Sequence, residues 1–431
     1  MPIQGLRTDE NFLTTQRPQN WRQTMLLLYP NSSDIAKAPL TALTSLMKSE
    51  STDDPVFHWF QKTLDARRVL INTNVLVGDT QITIDPGYPI SPANSAYTVA
   101  SATDFATAKI VKAGDLLWIE QTGEIVRVSA DPTTNNVIPV VRGMAGTTAQ
   151  AITIAGAGVN PFANVIGSAM EEGSLAPTSV NYDPIELNNY CQIFRSTLSI
   201  TRTAQKTRLR TGDAVTEAKR ECLEYFSVDM ERAFWFNGKK QLTSINGNPA
   251  RFTSGILQQI KDGAPGNVIP APPGGLITMD WLEAFTEVLF RFGSSEKMAF
   301  GSNLALLALQ QAIRKNSYWR IESGIKEFGL TVSRFITPFG ELVFKTHPLF
   351  NQMQGGSTAG SQFYSVANNV YILDMQNIRY KYVDDVMYEK DLTPIGLDGL
   401  KSGYKAECGL ELHHAATHGI WTGIQGGATD N

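Results

Sequence analysis

Two neighbouring runs decide how this chain is read: Tyr190-Cys-Gln-Ile-Phe-Arg-Ser-Thr-Leu-Ser-Ile-Thr-Arg-Thr-Ala-Gln-Lys206, and Thr211-Gly-Asp-Ala-Val-Thr-Glu-Ala-Lys-Arg-Glu-Cys-Leu-Glu-Tyr-Phe-Ser-Val-Asp-Met-Glu-Arg-Ala-Phe-Trp-Phe236. The first alternates polar and apolar residues, as a strand with one buried face does. The second changes period. Val215, Ala218, Cys222, Phe226, Met230 and Ala233 recur at steps of three and four, an apolar stripe on a 3.6-residue period. Lys219 and Asp229 intrude on the stripe, while Asp213, Glu217, Arg220, Glu221, Glu224 and Glu231 read as the opposite, polar face. Either Thr211 or Asp213 can accept the free N–H groups at the start. Asn237-Gly238 suits a left-handed stop, with Lys239 and Lys240 placed at the negative helix end. The pattern predicts a helical rod of about 24 residues, roughly 36 Å long.

The remaining composition narrows the function classes. The chain has 431 residues, room for two or three domains with proper cores. It is 42% hydrophobic and only 18% charged, with 35 glycines, which describes a loop-rich globular protein of low charge. Low charge suits a chain that buries surface against copies of itself. A net charge of -4 argues against a dedicated nucleic-acid binder. No apolar run is long enough to span a bilayer, and Met1-Pro-Ile-Gln-Gly-Leu-Arg does not read as a secretion signal. Cys191, Cys222 and Cys408 are scattered and odd in number, so they read as reduced core thiols.

Working outward from the rod, residues 1 to about 35 read as an extended arm and Ala36 to Lys48 as a modest amphipathic helix. Val56 to Leu64 reads as a strand. Between Arg67 and about Asn164 the charged residues thin out and Thr, Val, Ile, Ala and Gly take over. Short β runs at Val75–Ile84, Leu116–Val128 and Asn136–Gly143 predict a small all-β module, a compact barrel. Its flanks, Trp59 to Leu64 and Met170 to Ile200, read as strands, which places the module at the tip of a hairpin. After the rod, Pro270-Ala-Pro-Pro-Gly-Gly marks a junction. A compact α/β portion follows: a helix capped by Thr278, a strand at Lys297–Phe300, a helix capped by Ser302, and a hairpin turning at Thr337-Pro-Phe-Gly340. Val370–Leu373, Ile378–Val383 and Gly403–Trp421 read as closing strands.

The usual marks of catalysis are weak or missing. His413-His414-x-x-x-His418 is the best metal candidate, but its flanks read as strand, where successive side chains diverge. Gly156-Ala-Gly158 lacks the strand–helix unit of a dinucleotide site. There is no phosphate loop and no Gly-x-Ser-x-Gly elbow. The pairs Asp384-Asp385 and Glu171-Glu172 read as solvated carboxylates.

The basic elbow leaves three readings open. Arg195, Arg202, Lys206, Arg208 and Arg210 occur with no acidic residue between Asn188 and Gly212. They can be a solvated turn, or a nucleic-acid contact, although that would call for interleaved aromatics. They can also be half of a contact between copies, matched to Glu217, Glu221, Glu224 and Glu231 of the next subunit, as heterologous ring contacts require.

The order of parts resembles the major capsid protein of tailed bacteriophages, in the subgroup with a β insertion in the E-loop. The likeness is carried at residue level by Tyr190 to Thr203, Leu209-Arg-Thr-Gly-Asp213, Glu224 to Phe236, Lys112-Ala-Gly-Asp-Leu-Leu, Arg142-Gly143 and Gly146-Thr-Thr. It is strong from about Phe105 to Phe236; elsewhere only the layout matches. The resemblance implies an α+β, HK97-like capsid fold with an inserted small all-β domain. The parts would be an N-terminal arm and short helix (1–54), E-loop strands (55–69 and 165–207) and the inserted domain (70–164). A P-domain on the spine helix (208–272), an A-domain (273–375) and return strands (376–431) would complete it. It implies hexamers and pentamers of an icosahedral shell around double-stranded DNA, with Tyr190 to Arg210 laid over a neighbour's spine helix. Scaffolding, portal and cement or decoration proteins would be further partners; contact with DNA would be non-specific. It implies no catalytic residue, no cofactor, no metal and no membrane. The alternatives are a nanocompartment shell of the same fold and, from another class, a hydrolase with a β-barrel accessory module using His414 and His418.

Overall fold

The computed structural model describes residues 42–62, 67–85, 108–154, 160–180, 184–207, 212–243, 247–315, 322–327, 330–352 and 366–427. The expected arm over 1–35, Gly156-Ala-Gly158, Arg208, Arg210 and Thr211 lie outside them.

A turn over 42–46 leads into β1 (Lys48–Ser51), followed by β2 (Val56–Gln61). The helix expected over 36–48 is therefore not formed in its described part. Leu43 and Met47 are buried by a turn that closes on Leu43 O, which accepts from Leu46 N–H at 3.0 Å and Met47 N–H at 3.2 Å, while the N–H groups of Leu43 and Thr44 donate to Glu231.

Six strands come next: β3 (Arg68–Leu70), β4 (Gln81–Thr83), β5 (Asp115–Ile119), β6 (Ile125–Val128), β7 (Val137–Met144) and β8 (Phe162–Ser168). They make one sheet in the order β3-β8-β5-β6-β7-β4. Its end strands meet. Ile71 bridges Ile84, Asn72 N–H donates to Thr83 O at 3.0 Å, and Asp85 N–H donates to Leu70 O at 2.9 Å. Every second side chain points into a separate apolar core that includes Val69, Ile82, Leu117, Val126, Ile138 and Ala163. The sheet runs from Arg68 to Ser168, so limits at 70 and 164 fall inside its first and last strands. β9 (Ile185–Tyr190) then pairs antiparallel with β2, Gln61 opposite Ile185 and Val56 opposite Tyr190. The described residues from Met170 to Val180 are loop rather than strand.

The long helix sits between two further sheets. After β10 (Gln192–Thr201) come a short helix α1 (Arg202–Lys206) and the rod α2 (Ala214–Phe236). Asp213 is the cap, accepting from Thr216 N–H at 3.0 Å. At the other end Asn237 is extended, with φ -70 and ψ 149, so the expected left-handed stop is absent. Tertiary packing ends the helix instead. Gly255 N–H donates to Asn237 O at 2.8 Å, and a Cβ at Gly255 would lie 2.9 Å from Ala233 O. Only a bare backbone fits across that helix end.

The chain continues through β11 (Lys240–Thr243), β12 (Pro249–Phe252), α3 (Ile256–Gly263), β13 (Val268–Pro270), β14 (Leu276–Ile277), α4 (Met279–Leu289), β15 (Glu296–Gly301) and α5 (Asn303–Lys315). Then follow β16 (Glu322–Glu327), β17 (Leu330–Ile336), β18 (Glu341–Thr346), α6 (Pro348–Gln352), β19 (Val370–Leu373), β20 (Ile378–Glu389), β21 (Gly399–Leu412), β22 (Gly419–Thr422) and β23 (Gly426–Gly427). The caps at Thr278 and Ser302 form as the residues predict, accepting from Trp281 N–H and Ala305 N–H, each at 3.2 Å.

One sheet, in the order β1-β20-β21-β10, lies on α2. A seven-stranded sheet, β13-β22-β19-β15-β18-β17-β16, has α4 and α5 on one face through Leu282, Leu289, Leu309, Phe344, Ile372 and Trp421. Its other face, with Phe300 and Tyr371, joins Phe226, Met230, Phe234 and Trp235 of α2 and Phe194, Tyr380 and Leu410 of the four-stranded sheet in one core. Trp235 touches Phe300, Phe350 and Tyr371 at centroid distances of 5.0–5.5 Å.

Candidate subunit-contact site

β10 has two faces with different fates. Phe194 and Leu198 point inward, and Phe194 meets Phe234 of the same chain edge-on at 6.2 Å. Cys222 Sγ lies 3.4 Å from Ser196 Oγ. This ribbon therefore lies across its own rod, so its inner face is taken and the expected contact of Tyr190 to Arg210 with a neighbour's helix falls to the surfaces left open. Its pairing with β21, Gln192 opposite Cys408 through Thr201 opposite Gly399, consumes one edge as well. What remains is the outward face, with Ile193, Arg195, Thr197 and Ser199 exposed, and the second edge of β10, which has no strand partner among the described residues.

The described part of the basic elbow is exposed. Thr201 caps α1, whose residues are all unburied. Arg202 Nε is 2.8 Å from Asp398 Oδ1, and Arg195 Nη2 is 3.7 Å from Glu389 Oε1. Both pairs stand in solvent, where such contacts add little to stability and exchange readily. Lys206 is exposed on the last turn.

On α2 the predicted acidic residues divide. Glu221 is exposed, Glu217 is half-buried, and Glu224 is half-buried beside Arg220 at 3.8 Å. Tyr225 and Asp229 join Glu217 and Glu221 at steps of four, and Tyr225 is 70% exposed. The outward stripe of the rod is thus acidic with one aromatic, and Asp229, read from the sequence as an intrusion on the apolar stripe, belongs to it.

Glu231 corrects the sequence reading outright: it is fully buried. Its Oε1 accepts from Leu43 N–H at 2.7 Å, His347 Nε2 at 3.0 Å and Trp235 Nε1 at 3.3 Å. Its Oε2 accepts from Thr44 Oγ1 at 2.6 Å and Thr44 N–H at 3.1 Å. Burial alone would raise its pKa, but the hydrogen bond and charge of His347, with Thr44 and Leu43, hold it below the usual carboxylate range. The cause of the misreading is geometric. The first half of α2 is covered on one side, by the four-stranded sheet, whereas the second half is also covered by the seven-stranded sheet and the 42–47 turn. The position opposite the stripe is half-open to solvent at Glu217 and interior at Glu231.

The histidine cluster does not converge. His418 is fully buried, accepts from Asp374 N–H at 3.1 Å, and is pushed by burial to a pKa of about 3. His413 pairs with Glu411, and His414 takes a left-handed φ of 47. Among the described residues no three metal-ligating side chains come together, and no helix is long and apolar enough to cross a membrane.

Arg142-Gly143 turns out to serve the six-stranded sheet. Buried Glu124 accepts from Arg142 Nε at 2.8 Å and Nη2 at 2.6 Å, from Gly143 N–H at 3.0 Å and from Gln150 N–H at 3.2 Å.

The family model described as SU10 major capsid protein matches residues 29–425 of this chain. A major capsid protein of Pseudomonas phage PaMx41 is 25% identical over 351 residues, covering 79% of this chain and 76% of that protein. Among solved structures, the capsid of a native GTA particle aligns over 96% of this chain and 97% of that chain, at 8% identity and a TM-score of 0.43. A structure from Mycobacterium phage Bobi aligns over 97% of both chains, at 10% identity and a TM-score of 0.43.

Proposed function

This chain belongs to the SU10 major capsid protein family and forms the capsid shell of a phage head, and on that premise we propose how its copies meet. The basic α1 end of one subunit (Arg202 and Lys206, continued by Arg208 and Arg210) faces the acidic outward stripe of α2 in the next, Glu217, Glu221 and Asp229 with Glu224 beside them. Arg195 on the outer face of β10 extends the basic side. Glu231 takes no part, because it is sealed inside its own subunit. Such a contact joins two different patches, so repetition closes rings, and the rings this reading calls for are hexamers and pentamers. Tyr225 supplies apolar area at the centre of the acidic stripe, where an aromatic anchor is most effective. The barrel between β2 and β9 is an inserted domain that stands clear of this contact. The chain's chemistry is self-association, and we assign it no reaction.

The observation that supports this reading is the separation of surface charge: the cations Arg202 and Lys206 on α1 and the carboxylates Glu217, Glu221 and Asp229 along α2, none of them buried. Substituting Arg202, Lys206, Arg208 and Arg210 by Ala should leave a soluble subunit that no longer forms shells, as seen by negative-stain microscopy. Shells that assemble unchanged at ordinary and raised salt would defeat the charge-matching contact.

A further inference from the structure

Lys345 lies on β18 with its side chain 4% exposed, and its ammonium has no hydrogen-bond partner among the described residues. It stands 5.9 Å from the centroid of the Phe300 ring, within the field of Glu231. A buried, unsatisfied cation is costly, so a state that satisfies it gains by comparison. Glu231 is the acceptor for such a state. In the structure it is occupied by five donors, and three of them (Leu43 N–H, Thr44 N–H and Thr44 Oγ1) come from the turn at the start of the described chain. The other two, Trp235 and His347, belong to the packed interior.

Removing the turn would leave Glu231 buried with only those two donors. That loss would forbid undocking unless another donor replaced the three. The Lys345 side chain has a flexible four-carbon stem and three donors to offer. The interior around Glu231 therefore holds a spare donor, the Lys345 ammonium, on the side of the seven-stranded sheet.

We propose that Glu231 and Lys345 form a partner-exchange latch: the carboxylate holds the 42–47 turn in one state and takes the Lys345 ammonium in the other. The exchange keeps the carboxylate satisfied in both states, so the turn leaves while α2 and the seven-stranded sheet stay packed. In a shell subunit, this lets the 42–47 turn change position during assembly without unfolding the core. That consequence rests on the shell-forming reading; the latch itself is a property of one subunit.

The test uses the unassembled full chain, so its outcome does not depend on shell formation. Hydrogen exchange of the peptide containing Leu43 and Thr44 is measured in the unchanged protein, in Lys345→Met and in Glu231→Gln. Lys345→Met removes the replacement donor and should slow exchange of this peptide by about tenfold, the factor one charge-assisted hydrogen bond can supply. Exchange that is unchanged or faster in Lys345→Met would overturn the latch, because a cation that merely steadies the docked carboxylate must protect the turn. Glu231→Gln should speed exchange there while α5 keeps its protection; exchange that stays unchanged in that variant would also overturn it. If Glu231→Gln does not fold, the sign of the Lys345→Met effect decides alone.

Discussion

Glu231 Oε1 lies 2.7 Å from the backbone nitrogen of Leu43, 188 residues away in sequence, and this contact fastens the start of the described chain to the C-terminal part of the rod. A backbone donor can be held this way whatever its side chain, so the anchor depends on Glu231 far more than on Leu43. Glu231→Ala leaves Thr44, Trp235 and His347 with buried donors and Lys345 with an uncompensated charge. We expect a loss of about 3–5 kcal/mol in folding stability, read from urea unfolding. A loss below about 1 kcal/mol would mean that water replaces the carboxylate.

Arg142 ties the barrel loops together through Glu124. Burial works against the Glu124 charge, but Arg142, Gln150 and Gly143 hold its carboxyl below the usual range. Arg142→Met retains most of the side-chain volume and removes the fork, leaving Glu124 buried with two backbone donors. The amides of Gly143 and Gln150 should lose protection against hydrogen exchange, with a cost of about 3 kcal/mol confined to the barrel. Protection along α2 should be unchanged, because the barrel core is separate from the core around the rod. Equal losses in both regions would show that the barrel and the rod unfold as one.

Acid should destabilise the subunit from below about pH 6.5, the ordinary histidine pKa. His418 stays neutral in the fold down to about pH 3, while the unfolded chain takes up the proton first. Its contribution is complete above the unfolded pKa and is lost as the pH falls toward the folded one, at up to ~1.4 kcal/mol per pH unit. Glu231, whose pKa is lowered, adds a loss of the same sign at lower pH. His418→Asn keeps an oxygen for Asp374 N–H and cannot titrate. Thermal unfolding at pH 7, 5 and 4 should fall less steeply in this variant than in the unchanged chain. Parallel slopes would place the acid sensitivity elsewhere.

Excision of the barrel should leave a folded remainder. Gln61 and Ile185 face each other across β2 and β9, so a short Gly-rich turn can join them after removal of residues 62–184. We expect soluble protein with the cores around Trp235 and Trp421 intact, seen as retained near-ultraviolet dichroism. Insoluble or molten product would show that the remainder needs the barrel in order to fold.

Much of the architecture was legible locally. The 3.6-residue period located α2, Thr278 and Ser302 announced their helices, and Thr337-Pro-Phe-Gly340 announced the hairpin between β17 and β18. The sparse charge and the Val, Ile and Thr from Arg67 to about Asn164 predicted a small β module; the six-stranded sheet there, over 68–168, packs on a core of its own. These signals are periodicities and caps, set by neighbours a few residues apart. What covers each face is set by distant chain, and there the local reading failed. Glu231 has the same spacing as an exposed glutamate, yet a turn from 42–47 and the end of β18 close over it. β10 reads as a strand with one buried face, yet nothing local names β21, some 200 residues later, as its partner or its own rod as the surface that covers it. One sequence thus determined the elements and their lengths; only the tertiary structure decided which charges face water. Hydrophobic periodicity reports one element's preference for burial and carries no record of the second or third surface that arrives to complete it.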